Sequence, residues 1–167
     1  NSHPAVQMQL LSQLPKRTLA VADTMDLWIN TARPELENLL RSIDGLVLNF
    51  DEAELFTGKK NPVTAGRQIL KDYANGRKGL KFVIVKKGEH GSLIIHRSGI
   101  AALPAYPAEK VVDPTGAGDS FAGGLMGFLA KANSKGAAIS IDTLRKAASH
   151  GTVVASFNIE AFSLDRL

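Results

Sequence analysis

Residues 111–121 read VVDPTGAGDSF and form the most informative stretch of the sequence. An extended segment enters a turn restricted by Pro114, two glycines flank one alanine, and a helix with an acidic residue in its first turn follows. Small residues let another group approach the backbone closely. Because the first N–H groups of a helix lack internal partners and carry partial positive charge, Gly116, Ala117 and Gly118 are predicted to cradle an anion such as phosphate.

Asp119 lies beside this predicted cradle, where a carboxylate can accept a proton from a hydroxyl while the cradle holds developing negative charge. The alternative is structural, because glycine-rich turns often open helices and an Asp at a helix start often serves only as a cap. The turn lacks the Gly-Lys-Ser/Thr of a Walker loop and the third glycine of a dinucleotide fingerprint. The residues of the turn alone leave both interpretations open.

Short apolar runs alternate with helical periodicity on either side of the turn. Strands are predicted at residues 18–23, 46–49, 82–85, 93–95 and 100–103, and helices at 34–43, 51–56, 61–75, from 116 onward and at 144–154. This is an α/β pattern, and the near-continuous apolar strands favour a parallel sheet covered on both faces. Ligands bind beyond the carboxyl ends of such strands, which places Asp23, Asn49 and the Gly88 turn at one rim.

Composition excludes several classes of protein. The 167 residues match about one domain, with 44% apolar and 22% charged residues. The net charge of +4 is mild and its basic residues form no long runs, so nucleic acid is not an expected partner. The absence of cysteine excludes disulfides, thiolate zinc sites and a Cys nucleophile, and the four histidines lack metal-ligand spacing. No apolar run is long enough to predict a transmembrane helix.

Three segments resemble motifs of one enzyme family. Residues 113–121 (DPTGAGDSF) resemble the second signature of the ribokinase-like (PfkB) family of carbohydrate and nucleoside kinases. Residues 49–52 (NFDE) resemble that family's Asn-x-x-Glu motif, and residues 85–92 (VKKGEHGS) resemble its glycine-containing strand turn. The resemblance implies a three-layer α/β/α fold with a central, mostly parallel sheet. It also implies that residues 1–167 are a single partial domain, the C-terminal ATP-binding half, without the lid and the N-terminal half.

The resemblance assigns catalytic and magnesium roles to the matching residues. Asp119 is implied as the catalytic base that deprotonates the substrate hydroxyl, and the glycine-flanked turn before it as the anion hole for the transferred phosphoryl group. Asn49 and Glu52 are implied to act on Mg²⁺ and its waters near the ATP phosphates. By residue type alone, structural roles are favoured, with Asn49 as an N-cap and Glu52 as a first-turn acid. The resemblance favours the magnesium roles instead.

The resemblance also implies contacts to ATP and to a monovalent cation. The residues expected on the ATP side lie in the strand turn and on the last helix, and they are Lys87, Gly88, Gly91, His150 and Gly151. Asp113 and Thr115 stand where many relatives bind a monovalent cation such as K⁺ beside the anion hole.

The function implied is ATP-dependent phosphorylation of a hydroxyl on a sugar or nucleoside by a cytoplasmic kinase. Neither nucleic acid nor a membrane is an expected partner, and a homodimer is expected of the full-length protein. Because the family's N-terminal half supplies most substrate contacts, we expect this chain to be a fragment with little activity by itself. The alternative is a non-catalytic ribokinase-like regulator that binds a nucleotide or sugar, and the intact Asp119 and glycines argue against it.

Overall fold

A computed structural model describes residues 2–14, 19–75, 78–132 and 139–162 as an α/β fold. The helices are α1 (Pro4–Ser12), α2 (Asp26–Thr31), α3 (Arg33–Leu40), α4 (Phe50–Thr57), α5 (Pro62–Tyr73), α6 (Ala117–Ala132) and α7 (Ile141–Ile159), with a 3₁₀ turn at Gly88–His90. The strands are β1 (Val21–Asp23), β2 (Gly45–Asn49), β3 (Ala74–Asn75), β4 (Lys78–Gly79), β5 (Phe82–Lys86), β6 (Ser92–His96) and β7 (Gly99–Leu103).

The main sheet has five strands in the order β1-β2-β5-β6-β7. Strand β2 pairs in parallel with β1 on one side and with β5 on the other, and Asn49 is the register partner of Lys86. In both β2 and β5 the first four residues are buried, as expected for central strands of a parallel sheet. The predicted parallel pairing is therefore confirmed for these strands. A separate two-stranded ladder, β3 with β4, is antiparallel.

The chain divides into two compact units, residues 1–87 with 93–100 and residues 88–92 with 101–167. In the first unit, helices α3 to α5 bury apolar side chains against the parallel strands. Leu40, Leu48, Ile69 and Val85 are fully buried there. The expectation of a single partial domain over residues 1–167 stays a prediction, since the two units are described separately.

Helices α6 and α7 form most of the second unit and pack tightly along a seam of small residues. A Cβ built at Gly124 would lie 2.9 Å from the Cα of Gly151, so only glycines allow the two backbones to come this close. On α6, Phe121, Leu125 and Leu129 are buried, whereas Phe128 is half-buried and its ring contacts His150.

Local capping signals explain several helix boundaries. Asn49 caps α4, Gly58 ends it in the left-handed conformation, and Asn61 caps α5. The helix predicted over 34–43 corresponds to α3, which already ends at Leu40, and Gly45 begins β2. A Cβ at Gly45 would overlap the Phe82 ring, so this glycine serves strand packing.

Three further differences concern element bounds. Helices α1 and α2 were not predicted, and α7 is longer at both ends than the predicted 144–154. Residue 18, included in the first predicted strand, lies outside the described residues. The helix predicted over 61–75 ends at Tyr73, and the next two residues form β3. Among the helices of the described part, none has the length and apolarity needed to span a bilayer.

Candidate functional site

The carboxyl ends of β1, β2 and β5 bring Asp23, Asn49 and Lys86 to one edge of the sheet, and Glu52 follows in the first turn of α4. We call these four residues the carboxyl-edge cluster. The Oδ1 atom of Asn49 accepts a hydrogen bond from the Glu52 N–H at 2.8 Å, and Oε2 of Glu52 accepts one from the Asn49 N–H at 2.7 Å. This reciprocal capping box holds both predicted magnesium residues side by side.

Lys86 spans the end of β2 to reach Asp23, with its Nζ atom 3.1 Å from Oδ2. Both side chains are largely buried, at 19% and 27% exposure, so this pair is better shielded from solvent than a surface ion pair. The sequence pointed to Lys87 as the basic residue of this turn and overlooked Lys86. Its position at the end of a strand could have identified Lys86, since it is the last residue of β5 and the register partner of Asn49.

Burial raises the pKa of Glu52 above its ordinary value. The Asn49 N–H opposes this shift, the negative charges of Asp23 and Asp26 add to it, and Lys86 lowers the pKa. A cavity of about 320 Å³ opens beside Glu52 and is lined by Asp26, Asn49, Asp51, Glu52 and Leu55. The cluster thus combines a half-buried carboxylate, other negative charges and one lysine next to open space.

The raised pKa of Glu52 predicts how the stability of the fold depends on pH. A carboxyl that is harder to ionise when folded favours the folded state at low pH, and that contribution is lost as the pH rises through the raised pKa. Glu52→Gln stays neutral and retains an acceptor for the Asn49 N–H. We therefore expect the midpoint of urea unfolding for Glu52→Gln to rise relative to the parent between pH 4 and pH 7.

The control is Asp51→Asn, which changes the exposed acidic residue next to Glu52 without touching the capping box. Its midpoint relative to the parent should change less over the same pH interval. Parallel pH profiles for the parent and Glu52→Gln would show that burial of this carboxylate does not oppose its ionisation.

A somewhat larger cavity, of about 360 Å³, lies among α3, α4 and α5, away from the predicted site residues. Arg33 lies over the Phe56 ring at 3.8 Å from its centroid, donates to the Phe56 carbonyl and pairs with Glu37. These contacts engage the guanidinium within the fold. We assign this cavity no role in the reaction.

The second set of predicted residues lies in residues 113–119, which we call the glycine turn. Asp113 accepts a hydrogen bond from the Thr115 N–H at 2.9 Å, and this bond holds the pKa of the Asp113 carboxyl below its usual range. The Ala117 N–H donates to the Pro114 carbonyl at 3.2 Å. The charged carboxylate of Asp113 thus orders the start of the turn as an Asx-type turn.

The amides of Gly118 and Asp119 in the first turn of α6 find no acceptor within the described residues. The Asp119 carboxylate is exposed and makes no hydrogen bond or ion pair in the same part of the chain. An unengaged carboxylate beside unpaired helix N-terminal amides suits a base next to an anion. The anion-hole role of Gly116, Ala117 and Gly118 stays a prediction, and in this geometry the Ala117 amide is already used within the turn.

The remaining predicted ATP residues have different surroundings. Lys87 is half-buried, and Gly88 and Gly91 both adopt positive φ at the two ends of the 3₁₀ turn. His150 is exposed, whereas Gly151 is buried, with the Phe121 backbone carbonyl against its Cα. The packing seam accounts for Gly151 without a ligand, and its contact with ATP stays a prediction.

The donor set at the carboxyl-edge cluster fits Mg²⁺ held through water. No three His, Asp or Glu side chains of the described residues converge as a closed metal site. The capping box uses Oε2 of Glu52, so Oε1 remains as the oxygen that would accept from a metal-bound water. Because Mg²⁺ commonly keeps several waters and takes other oxygens from phosphates, one or two carboxylate contacts suffice.

The sequence profile of the pfkB family of carbohydrate kinases matches residues 8–165. The chain belongs to this family. The PfkB chain is similar to the cytidine kinase of Thermococcus kodakarensis, with 33% identity over 127 residues that make up 74% of this chain and 43% of that protein. It is also similar to the Methanocaldococcus jannaschii nucleoside kinase, with 37% identity over 79 residues, or 47% of this chain and 23% of that protein.

Solved structures of PfkB relatives share the fold. Aminoimidazole riboside kinase from Salmonella enterica, solved with aminoimidazole riboside and an ATP analogue, matches with a TM-score of 0.72 and 25% identity, covering 87% of this chain and 47% of that one. The M. jannaschii nucleoside kinase structure matches with a TM-score of 0.73 at 24% identity, covering 100% of this chain and 50% of that one. The ribokinase-like α/β fold is confirmed, and the chain spans about half the length of these relatives.

Proposed function

We propose that this PfkB chain forms the nucleotide- and phosphoryl-handling part of an ATP-dependent kinase that phosphorylates a hydroxyl of a sugar or nucleoside. The observation that supports this most strongly is the glycine turn, where the exposed Asp119 carboxylate follows helix N-terminal amides that have no acceptor among the described residues. The cytoplasm as its location and a homodimer as its assembly are parts of the same proposal.

In the proposed reaction, Asp119 takes the proton of the acceptor hydroxyl as its oxygen attacks the γ-phosphorus of ATP. The bond from that phosphorus to the β–γ bridging oxygen breaks, and ADP leaves. The amides of the glycine turn stabilise negative charge on the transferred group, since oriented N–H donors act strongly where charge develops. The products are a phosphate ester and ADP, with the hydroxyl proton on Asp119.

The carboxyl-edge cluster has a separate role in this proposal. Asn49 and Glu52 hold Mg²⁺ through its waters, and the ion supplies positive charge that screens the nucleotide phosphates. Lys86 adds a fixed positive charge for a phosphate oxygen. K⁺ at Asp113 and Thr115 is proposed as a supplementary ion, and Lys87, Gly88, Gly91, His150 and Gly151 are proposed to line the ATP side.

The experiment is an ADP-release assay on the complete polypeptide encoded by the gene, with the 167-residue chain assayed in parallel. The acceptor panel contains cytidine, adenosine, aminoimidazole riboside, ribose, inositol and 2-dehydro-3-deoxygluconate, following the substrates named for the relatives. We expect Mg²⁺-dependent ADP release above ATP hydrolysis with at least one acceptor. For the 167-residue chain alone we expect weak ATP binding and little turnover. Saturable binding of ATP and acceptors without turnover by the complete polypeptide would instead identify a regulator.

Lys86 gives a sharper test of the nucleotide assignment. Lys86→Met removes the charge at the carboxyl edge, and we expect KM for ATP to rise about 10- to 100-fold, as for the loss of a hydrogen bond to a charged group. The matched control is Lys81→Met. Lys81 directly precedes β5, at the amino end of the parallel strands, and its Nζ lies 2.7 Å from Oδ1 of Asp44.

Lys81→Met removes the same kind of Lys–Asp ion pair and should leave KM for ATP within about twofold, since Lys81 lies at the wrong end of the strands for a ligand. Equal KM values for ATP in the two variants would show that Lys86 is not part of the nucleotide site.

A further inference from the structure

The last turn of α7 is joined to the residues that lead into the glycine turn. The N–H groups of Val112 and Asp113 both donate to the Ile159 carbonyl, at 2.7 and 3.3 Å. Ile159 is the last residue of α7, and the carbonyls in the last turn of a helix have no N–H donor within that helix. The end of one helix is therefore satisfied by the chain segment that enters the other.

Asn158, the residue before Ile159, places its side-chain amide beside the first glycine of the turn. It is 2% exposed, and a Cβ built on Gly116 would lie 3.5 Å from its Oδ1 atom and 3.9 Å from its Nδ2 atom. Gly116 has φ of +81°, and its carbonyl accepts the Ser120 N–H at 2.8 Å. The Asn158 amide therefore lies next to the residue whose carbonyl closes the first turn of α6, which contains Asp119.

Helix α7 is itself held close to α6, which makes its last turn a firm support. The Gly124–Gly151 seam brings the two backbones into contact, and α7 buries Leu144, Ala147 and Ala148 along its length. A side chain at the end of α7 is thus fixed relative to the start of α6 from two directions, by the seam and by the Ile159 carbonyl.

We propose that Asn158 is a positioning residue that holds Gly116, and through it the first turn of α6, in the geometry needed for phosphoryl transfer. The effect on rate rests on the proposed function, whereas the effect on the turn does not. Small displacements of reacting groups lower rates steeply, so loss of the Asn158 amide acts on kcat. The carboxyl-edge cluster keeps its residues, so KM for ATP changes little.

The test compares Asn158→Ala with Ser156→Ala. Ser156 is a matched control because it is buried on the same turn of α7, at 4% exposure, and its hydroxyl donates only within the helix, to the Val153 carbonyl at 2.7 Å. We expect Asn158→Ala to lower kcat about 10- to 100-fold with KM for ATP within twofold, and Ser156→Ala to change neither beyond about twofold.

Amide hydrogen exchange followed by mass spectrometry gives a readout that needs no activity. Peptides covering residues 112–120 should exchange faster in Asn158→Ala than in Ser156→Ala, while peptides from α5 exchange alike. Asn158→Ser, which keeps a small polar group, provides the same comparison if the alanine variant does not fold. Unchanged exchange of residues 112–120 relative to the control would overturn the proposal, whether or not the protein proves to be a kinase.

If the parent shows no kinase activity, the proposed function fails and the exchange data alone decide whether Asn158 holds the turn. If the parent is active and the exchange rises while kcat does not fall, the positioning role in catalysis is refuted. Equal rises of KM and falls of kcat in both variants would indicate general loosening of α7 and would also refute it.

Discussion

Replacing Asp119 by asparagine should lower kcat of the complete polypeptide by a factor of about 10² to 10⁴, the range contributed by a general base. The carboxylate is exposed and makes no hydrogen bond or ion pair in the described part of the chain, so its removal leaves no buried partner unpaired. Folding should change by less than about 1 kcal/mol, the size of a first-turn charge effect. ADP release measures the rate, and calorimetry with ATP measures whether nucleotide binding is kept.

Asp142→Asn is the matched control, because Asp142 is the exposed acidic residue in the first turn of α7. It pairs with Arg145 at 3.3 Å and has no place in the proposed reaction. Its turnover should equal that of the parent. An Asp119→Asn enzyme that keeps a third or more of the parental kcat would rule out Asp119 as the base.

The largest effect on stability is expected at Gly91. This glycine has φ of +77°, and a Cβ built on it would overlap the Leu103 carbonyl and lie 2.7 and 2.8 Å from backbone atoms of Pro104 and Ala105. A left-handed non-glycine residue costs about 1–2 kcal/mol. Forced contact with a backbone that cannot rotate away adds about 1–3 kcal/mol. Gly91→Ala should therefore destabilise the fold by about 2–5 kcal/mol, measured by urea unfolding.

Gly88→Ala isolates the conformational part of this effect. Gly88 lies three residues earlier with φ of +56°, and a Cβ built there meets nothing within 4 Å. Its replacement should cost only the left-handed penalty of about 1–2 kcal/mol. Equal destabilisation by the two substitutions would show that the backbone beyond Leu103 moves to accommodate a methyl group. Backbone crowding would then not be the reason that position 91 requires glycine.

The sequence predicted best what depends on local interactions. The buried strands β2 and β5 appear as apolar runs, and the caps at Asn49 and Gly58 use side chains and conformations specified within one turn. Helix α2 was missed because six residues give too little periodicity to recognise. The role of Gly45 was not visible in the sequence, because its constraint is the Phe82 ring on another strand.

The candidate site shows the same division. The motif identified the glycine turn and Asp119, since these residues are contiguous in sequence. Lys86 was overlooked because its pairing with Asp23 depends on strand order. The proposed support of Gly116 by Asn158 likewise depends on how two helices pack. Contacts between distant segments are set by tertiary packing, which local patterns do not encode.

The capping box at the start of α4 has a consequence for ligand affinity. Fixing a glutamate side chain in one rotamer costs up to about 1.5–2 kcal/mol of conformational entropy. In this protein that ordering occurs at folding, because Oε2 of Glu52 already accepts the Asn49 N–H. At the proposed magnesium site, an incoming ion and its waters would therefore meet a preorganised carboxylate, and binding would not carry that entropy loss.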